Sequence, residues 1–285
     1  MKCGRLGDVG SEFPVVFLDG HTAVSVEHLI PDWSREALID GALEAVSRAD
    51  LTDLPQLNVA DYRIAAPLKR PGKIVAIGLN YRLHAEETGA AIPTEPVIFT
   101  KSPDCVVGPF DQIKIPPGSQ RTDYEVELAI VIGTHLSYAS SEGEALAAIA
   151  GYTISQDISE REWQKERGGT WDKGKSFPTF NPMGPWVDTQ LDNPQNLELS
   201  TTVNGHVRQH STTADMIFPI AHLVHYVSQC MELFPGDVIN TGTPSGVAMG
   251  MASDGYLRSG DEVESYIENI GRMRNTCVDT VLPDH

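Results

Sequence analysis

Tyr124-Glu125-Val126-Glu127-Leu128-Ala129-Ile130-Val131-Ile132 carries the pattern of a β-strand, apolar and β-branched with no Gly or Pro to break it. Side chains alternate faces along a strand, so Tyr124, Val126, Leu128, Ile130 and Ile132 point one way. Glu125 and Glu127 share the other face, their Cα atoms about 7 Å apart. Two carboxylates that close repel unless a cation lies between them. Two readings follow: a half-exposed strand with a solvated acidic edge, or a pair of metal ligands. The next strand pattern, residues 152–156, is joined through one short helical stretch and delivers Asp157 at its end. Three carboxylates from neighbouring strands would make an all-oxygen site suited to Mg²⁺ or Mn²⁺ and poorly suited to zinc.

Outward from these strands the chain continues in short β-like runs separated by Gly and Pro, at residues 73–77, 96–100, 112–115, 197–203, 237–240 and 262–267. Two helical patterns interrupt them. One covers residues 142–150 and stops at Gly151. The other starts after Ser211/Thr212, carries Pro219 early, passes through His222, Val224, Val227 and Met231, and ends before Pro235-Gly236-Asp237. Many strands and few helices predict a β-rich α+β domain of the sandwich or barrel kind, not a doubly wound sheet. The first sixty-odd residues read as a small α/β unit. It has a hairpin across Asp19-Gly20 and one helix through Glu36, Leu38, Ala42 and Val46, capped by Asp32 or Ser34. Pro67 and Pro71-Gly72 mark a boundary, so the expected domains are residues 1–68 and 69–285.

Composition narrows the function. The 285 residues hold 21 Lys plus Arg against 39 Asp plus Glu, a formal net charge of −18. Such a surface repels phosphate backbones and anionic lipid heads, which argues against nucleic-acid and membrane partners. No apolar run is long enough to span a bilayer, and the N-terminal ten residues lack the apolar core of a secretory signal. Four cysteines, Cys3, Cys105, Cys230 and Cys277, lie far apart with no CxxC pair. They read as reduced, buried, small apolar residues of a cytoplasmic protein rather than disulfides, zinc ligands or nucleophiles.

Three further motifs carry chemistry. Residues 169–176 match the GxxxxGKS phosphate-loop spacing, but a charged, strand-poor stretch precedes them and Pro178 and Pro182 follow, so nucleotide binding is rejected. Lys175 in that stretch is either a surface lysine or a cation that meets negative charge developing on a substrate oxygen. His84 and Glu87 have HxxE spacing. They are either a solvated pair on a short helix or a base whose tautomer a carboxylate fixes. Thr241-Gly242-Thr243-Pro244-Ser245-Gly246 is a tight turn after a strand that could present N–H groups and a hydroxyl to a carboxylate.

The segments GLNYRLHAEE (78–87), EPVIFTK (95–101), DYEVELAIVIG (123–133), SQDISEREWQ (155–164), KGKSF (173–177), DMIFPIAHLVHYVS (215–228) and PGDVINTGTPSGV (235–247) together resemble the fumarylacetoacetate hydrolase family. The long form SEREWQKERGGTWDKGKSF resembles its branch of acylpyruvase-type and 2,4-dioxo sugar-acid hydrolases, 2,4-diketo-3-deoxy-L-fuconate hydrolase among them. The resemblance implies a mixed β-roll catalytic domain behind the small N-terminal one, a homodimer, and one divalent ion per subunit, Mg²⁺ or Mn²⁺. It implies Glu125, Glu127 and Asp157 as metal ligands, His84 with Glu87 as the water-activating dyad, and Lys175 beside the metal. Tyr81, Gln164, Gly242 and Thr243 fall among the substrate contacts, and Thr179 near the metal. The substrate it implies is a small 2-oxo acid. The reaction is hydrolysis of the C3–C4 bond of a 2,4-dioxo acid, with oxaloacetate decarboxylation or isomerisation of an unsaturated 2-oxo acid as alternatives. A catalytically idle metal-binding protein is the alternative from another class. Residues between Gly78 and Glu95 are expected to form a lid.

Overall fold

The computed structural model describes residues 1–251 and 255–282. The N-terminal strands β1 (Lys2–Leu6), β2 (Phe13–Phe17), β3 (Thr22–Ser25) and β4 (Gln56–Asn58) pair antiparallel in succession. Asp19 closes the β2–β3 turn, its Oδ1 accepting from the N–H groups of His21 and Thr22. Of the two capping candidates Ser34 caps α1 (Arg35–Ile39), accepting from Ala37 N–H, while Asp32 takes the Arg5 guanidinium at 2.8 Å. The single helix expected here is two. Gly41, at φ +88°, breaks it, and α2 (Ala42–Arg48) starts afresh.

Beyond residue 70 come β5 (Ile74–Gly78), α3 (Arg82–Glu87), β6 (Val97–Lys101), β7 (Val106–Val107), β8 (Ile113–Ile115), β9 (Thr122–Asp123) and β10 (Val126–Ile132). Then follow α4 (Glu142–Ala147), β11 (Ile149–Gln156), β12 (Ser159–Glu160), α5 (Arg161–Lys165), α6 (Asp172–Lys175) and β13 (Asn181–Asp188). The rest is β14 (Glu198–Val203), β15 (His206–Thr212), α7 (Ile220–Cys230), β16 (Val238–Asn240), β17 (Glu262–Ile267) and β18 (Gly271–Asp279). The principal sheet runs β4-β3-β2-β1-β13-β11-β10-β16-β5-β6, with β7 attached to β13, and a second sheet runs β15-β14-β17-β18-β8. Most pairs are antiparallel, but β16–β5, β13–β7 and β18–β8 are parallel, so both sheets are mixed. The N-terminal strands extend the principal sheet through β1, Lys2 lying opposite Asp188.

Two departures from expectation have local causes. Residues 206–212 form β15, a strand the sequence did not announce, and Thr212 caps only a single 3-10 turn, Thr213–Asp215, not the long helix expected to start there. The two-residue Asn204-Gly205 turn, both at positive φ, folds the strand back onto β14, and α7 begins only after Pro219. Strand β13 was hidden by Pro182 and Pro185, which cannot donate to a ladder. Its pairing with β11 falls on Met183, Gly184 and Asp188 instead.

Strand β10 is buried on both faces. Val126, Leu128, Ile130 and Ile132 pack with Leu223, Val224 and Val227 of α7, while Ala129 and Val131 pack with Val24, Trp33 and Ile74. Leu128 alone, fully buried, contributes on the order of 2–3 kcal/mol. The solvated-edge reading of Glu125 and Glu127 therefore fails: they are 4% and 1% exposed.

Three of the four cysteines are buried, as expected, but Cys230 is exposed at the end of α7. Burial pushes the thiols of Cys3 and Cys277 up to about 12 and that of Cys105 up to about 11. The thiolate is the reactive form. Native protein titrated with dithio-bis-nitrobenzoate at pH 8 is thus expected to show one fast thiol, lost in Cys230→Ser, and three more only on denaturation. Two or more fast thiols would contradict this burial.

Candidate active site

The β10–β11 ladder continues past Gln156, Asp157 N–H donating to Glu125 O at 2.9 Å, and this extra rung sets the two carboxylates side by side. Glu125, Glu127 and Asp157 each offer an oxygen within 4.8 Å of the others, and all three are buried. Cations converge on them. Lys175 Nζ donates to Glu125 Oε2 at 2.6 Å and Asp157 Oδ2 at 2.7 Å. Lys101 Nζ lies 2.5 Å from Asp157 Oδ1. Arg161 spans Glu125 Oε1, 2.6 Å from Nη2, and Asp123 Oδ2, 2.8 Å from Nε.

Four buried carboxylates thus face three buried cations, which leaves one negative charge uncompensated. The carboxyl left without a cation is Glu127, whose Oε2 accepts the Gly242 N–H at 2.8 Å and which has no ion-pair partner among the described residues. Burial, then Asp157 and Glu125, push the Glu127 carboxyl well up. Against its own burial, Lys175 and Arg161 hold Glu125 well down. A buried oxygen cluster that is short of positive charge fits a hard divalent cation, and oxygen donors alone do not separate Mg²⁺ from Mn²⁺.

His84 on α3 reaches Glu87 through Nδ1 at 2.8 Å, and Gly246 N–H donates to Glu87 Oε1 and Oε2 at 3.1 and 2.9 Å. At 5% exposure His84 is not half of a solvated pair. It lines the same cavity as Glu125 and Glu127, and with Nδ1 engaged its Nε2 is the nitrogen left for a ligand. The Gly-rich turn after β16 therefore anchors both functional groups: Gly242 holds Glu127 and Gly246 holds Glu87.

The cavity walls are Ile77, Gly78, Leu79, Phe99, Trp171 and Met249, and its free volume of about 20 Å³ has room for little more than a water. Trp171 packs edge-on against Phe99, with centroids 5.3 Å apart. It fits only because residue 78 is glycine: a Cβ there would lie 2.4 Å from the indole. Gln164 lines the cavity and accepts from Arg161 at 2.9 Å. Thr243 lines it too, but its hydroxyl donates to Val126 O and accepts from Gln209. Tyr81 and Thr179 are not brought there. Tyr81 is buried beside a separate pocket with Arg82, Ser211 and Asp215, and Thr179 Oγ1 accepts from Lys114 N–H on another surface. Sequence reasoning missed the roles of Lys101, Arg161 and Asp123. Their only signal was charge placed within segments already singled out, at 95–101, 155–164 and 123–133.

Packing alone has no use for so many buried charges, and their convergence on one cavity beside a histidine defines an enzyme. The family Fumarylacetoacetate (FAA) hydrolase C-terminal matches residues 73–278. A Burkholderia ambifaria relative named "Putative hydrolase" is 46% identical over 277 residues, 96% of this chain and 97% of its own length. Two solved structures are similar throughout. One is a 5-carboxymethyl-2-hydroxymuconate delta-isomerase from Mycobacterium smegmatis, 35% identical with TM-score 0.80 over 99% of this chain and 100% of that one. The other is a fumarylacetoacetate hydrolase from Exiguobacterium antarcticum, 35% identical with TM-score 0.85 over 98% and 100%. The chain belongs to the fumarylacetoacetate hydrolase family, whose members act on oxo acids as hydrolases and isomerases. Among the described residues no helix is long and apolar enough to cross a membrane.

Proposed function

We propose that this chain, as a homodimer, hydrolyses the C3–C4 bond of a 2,4-dioxo acid, acylpyruvate-like or sugar-derived, to pyruvate and a carboxylic acid. The observation that carries this reading is the His84–Glu87 dyad, whose histidine lines the cavity together with Glu125 and Glu127, an oxygen of Asp157 lying within 4.8 Å of theirs. A divalent ion, Mg²⁺ or Mn²⁺, held by Glu125, Glu127 and Asp157 would supply Lewis-acid polarisation of the 2-oxo acid. The chain's own residues do the rest. Glu87 fixes His84 with its Nδ1 proton inward, so that Nε2 takes a proton from water as the water oxygen attacks C4. The C3–C4 bond breaks, its electron pair passes to the pyruvate enolate, and the Lys175 ammonium meets that charge. The proton that His84 took from water passes to C3, which releases pyruvate and restores the neutral imidazole. Gln164 and Thr243 line the path of the substrate.

Isomerisation of an unsaturated 2-oxo acid is the second reading, favoured by the similarity to the Mycobacterium smegmatis isomerase. It needs His84 only to move a proton between carbons. The deciding experiment follows pyruvate release from a short acylpyruvate by EDTA-treated protein, before and after Mg²⁺ or Mn²⁺. Release restored by metal is the expected result. Metal binding without release would sink the hydrolytic reading and leave isomerisation.

A further inference from the structure

We infer that Gln209 is a positioning residue of the site: its one carboxamide holds the turn at residues 241–246, and with it Glu127 and Glu87, in register with the carboxylate strand β10. The inference rests on the roles proposed above for those two acids. Gln209 lies on β15 in the second sheet and is fully buried. Its Oε1 accepts from Val126 N–H at 3.0 Å and from the Thr201 hydroxyl at 2.9 Å. Its Nε2 donates to Thr243 Oγ1 at 2.8 Å and to Pro244 O at 2.9 Å. The orientation of the amide is forced, since Val126 N–H can only donate and Pro244 O can only accept. No other side chain of this length offers acceptor capacity for two bonds beside two donors, so the four contacts select glutamine.

These bonds sit where the carboxylate strand and the turn meet. Val126 stands between Glu125 and Glu127; its N–H ends on Gln209, and its carbonyl on the Thr243 hydroxyl that Gln209 holds. Toward one end of the turn Gly242 N–H holds Glu127, and at the other Gly246 N–H holds Glu87 and through it His84. Among the described residues, the Thr243–Val126 bond apart, residues 243–245 between those glycines are hydrogen-bonded to Gln209 alone. Gly246 itself lies against the same strand: at φ +104°, a Cβ there would stand 2.0 Å from Arg208 O. A turn released from Gln209 lets Gly246 shift relative to Gly242, and so lets the imidazole shift relative to the carboxylates. Loss of the amide therefore acts on the placement of the base and not only on stability.

The test is Gln209→Met in the full chain, with Thr201→Val as a control that cuts the same amide's link to β14 and leaves its bonds to the turn. In Mg²⁺-dependent acylpyruvate hydrolysis Gln209→Met is expected to lower kcat by roughly 10- to 100-fold, the cost of a displacement on the order of 1 Å, with KM little changed. Thr201→Val should lose Tm and keep its kcat. A second readout needs no turnover. The His84 Nδ1 proton, observed by NMR on the metal-free chain and assigned with His84→Ala, should move in Gln209→Met and stay in place in Thr201→Val. Either readout unchanged in a folded Gln209→Met, or a Thr201→Val that loses kcat as far as Gln209→Met does, would overturn the assignment. If Gln209→Met does not fold, Thr243→Val, which removes one of the two bonds to the turn, takes its place, and an unmoved His84 signal there overturns it equally. A wild type that hydrolyses no acylpyruvate would sink only the proposed reaction, and the His84 signal would then decide alone.

Discussion

Glu127→Gln is expected to lower metal-dependent turnover by roughly 1,000-fold, which is what several kcal/mol of lost charge stabilisation amounts to. The same change should make the metal-free protein more stable. Glu127 is the buried carboxylate without a cation, and burial with Asp157 and Glu125 beside it raises its pKa. The sign follows from linkage. A carboxyl whose pKa is higher folded than unfolded favours folding while protonated and loses that advantage as pH rises through the folded value. Each pH unit between the unfolded value, about 4.3, and the raised one costs the wild type up to about 1.4 kcal/mol. Glutamine keeps the shape and carries no charge. In EDTA the Tm of Glu127→Gln should therefore exceed that of the wild type by an amount that grows as the pH rises above about 5, at about 2–4 °C per kcal/mol. Added Mg²⁺ should raise the wild-type Tm and leave the variant's nearly unmoved. A variant that still gains Tm with metal would remove Glu127 from the metal centre.

The carboxylate centre was legible because it obeys a local rule. Period-two alternation put Glu125 and Glu127 on one side of a strand, and the following strand ended in Asp157. What that rule could not supply was burial, which decided between acidic edge and ligand pair. The edge reading assumed one wet face, whereas β10 lies inside the sheet with its second face against the N-terminal core. The cations were harder still. Lys101 meets Asp157 across 56 residues and Arg161 meets Glu125 across 36, and no spacing in the sequence encodes such pairings. Tyr81 shows a failure of direction. It adjoins the helix that carries His84, but as the extended residue before Arg82 it faces a different pocket. Asn204-Gly205 was a hairpin signal in plain view; the strand it folds back, residues 206–212, is largely polar and little buried and gives no apolar alternation to read.

His84→Ala is expected to lower kcat for hydrolysis by about 10²–10⁴, the usual worth of a positioned general base. Metal affinity should move little, because His84 is bonded to Glu87 and none of the three carboxylates depends on it for a hydrogen bond. Glu87→Gln separates positioning from proton transfer. The amide still meets the Gly246 N–H but leaves the imidazolium without a counter-charge, so kcat should fall less than in His84→Ala while KM stays close to the wild-type value. The pair of variants also discriminates between reactions. Hydrolysis needs an activated water and should collapse without His84. A reaction that passes only through the enolate, such as oxaloacetate decarboxylation, should survive its loss far better. If both activities fell equally, His84 would be acting on the enolate rather than on water. If neither fell, the dyad would be a structural clasp between α3 and the turn at Gly246, and the water-activating group would have to be sought elsewhere in the cavity.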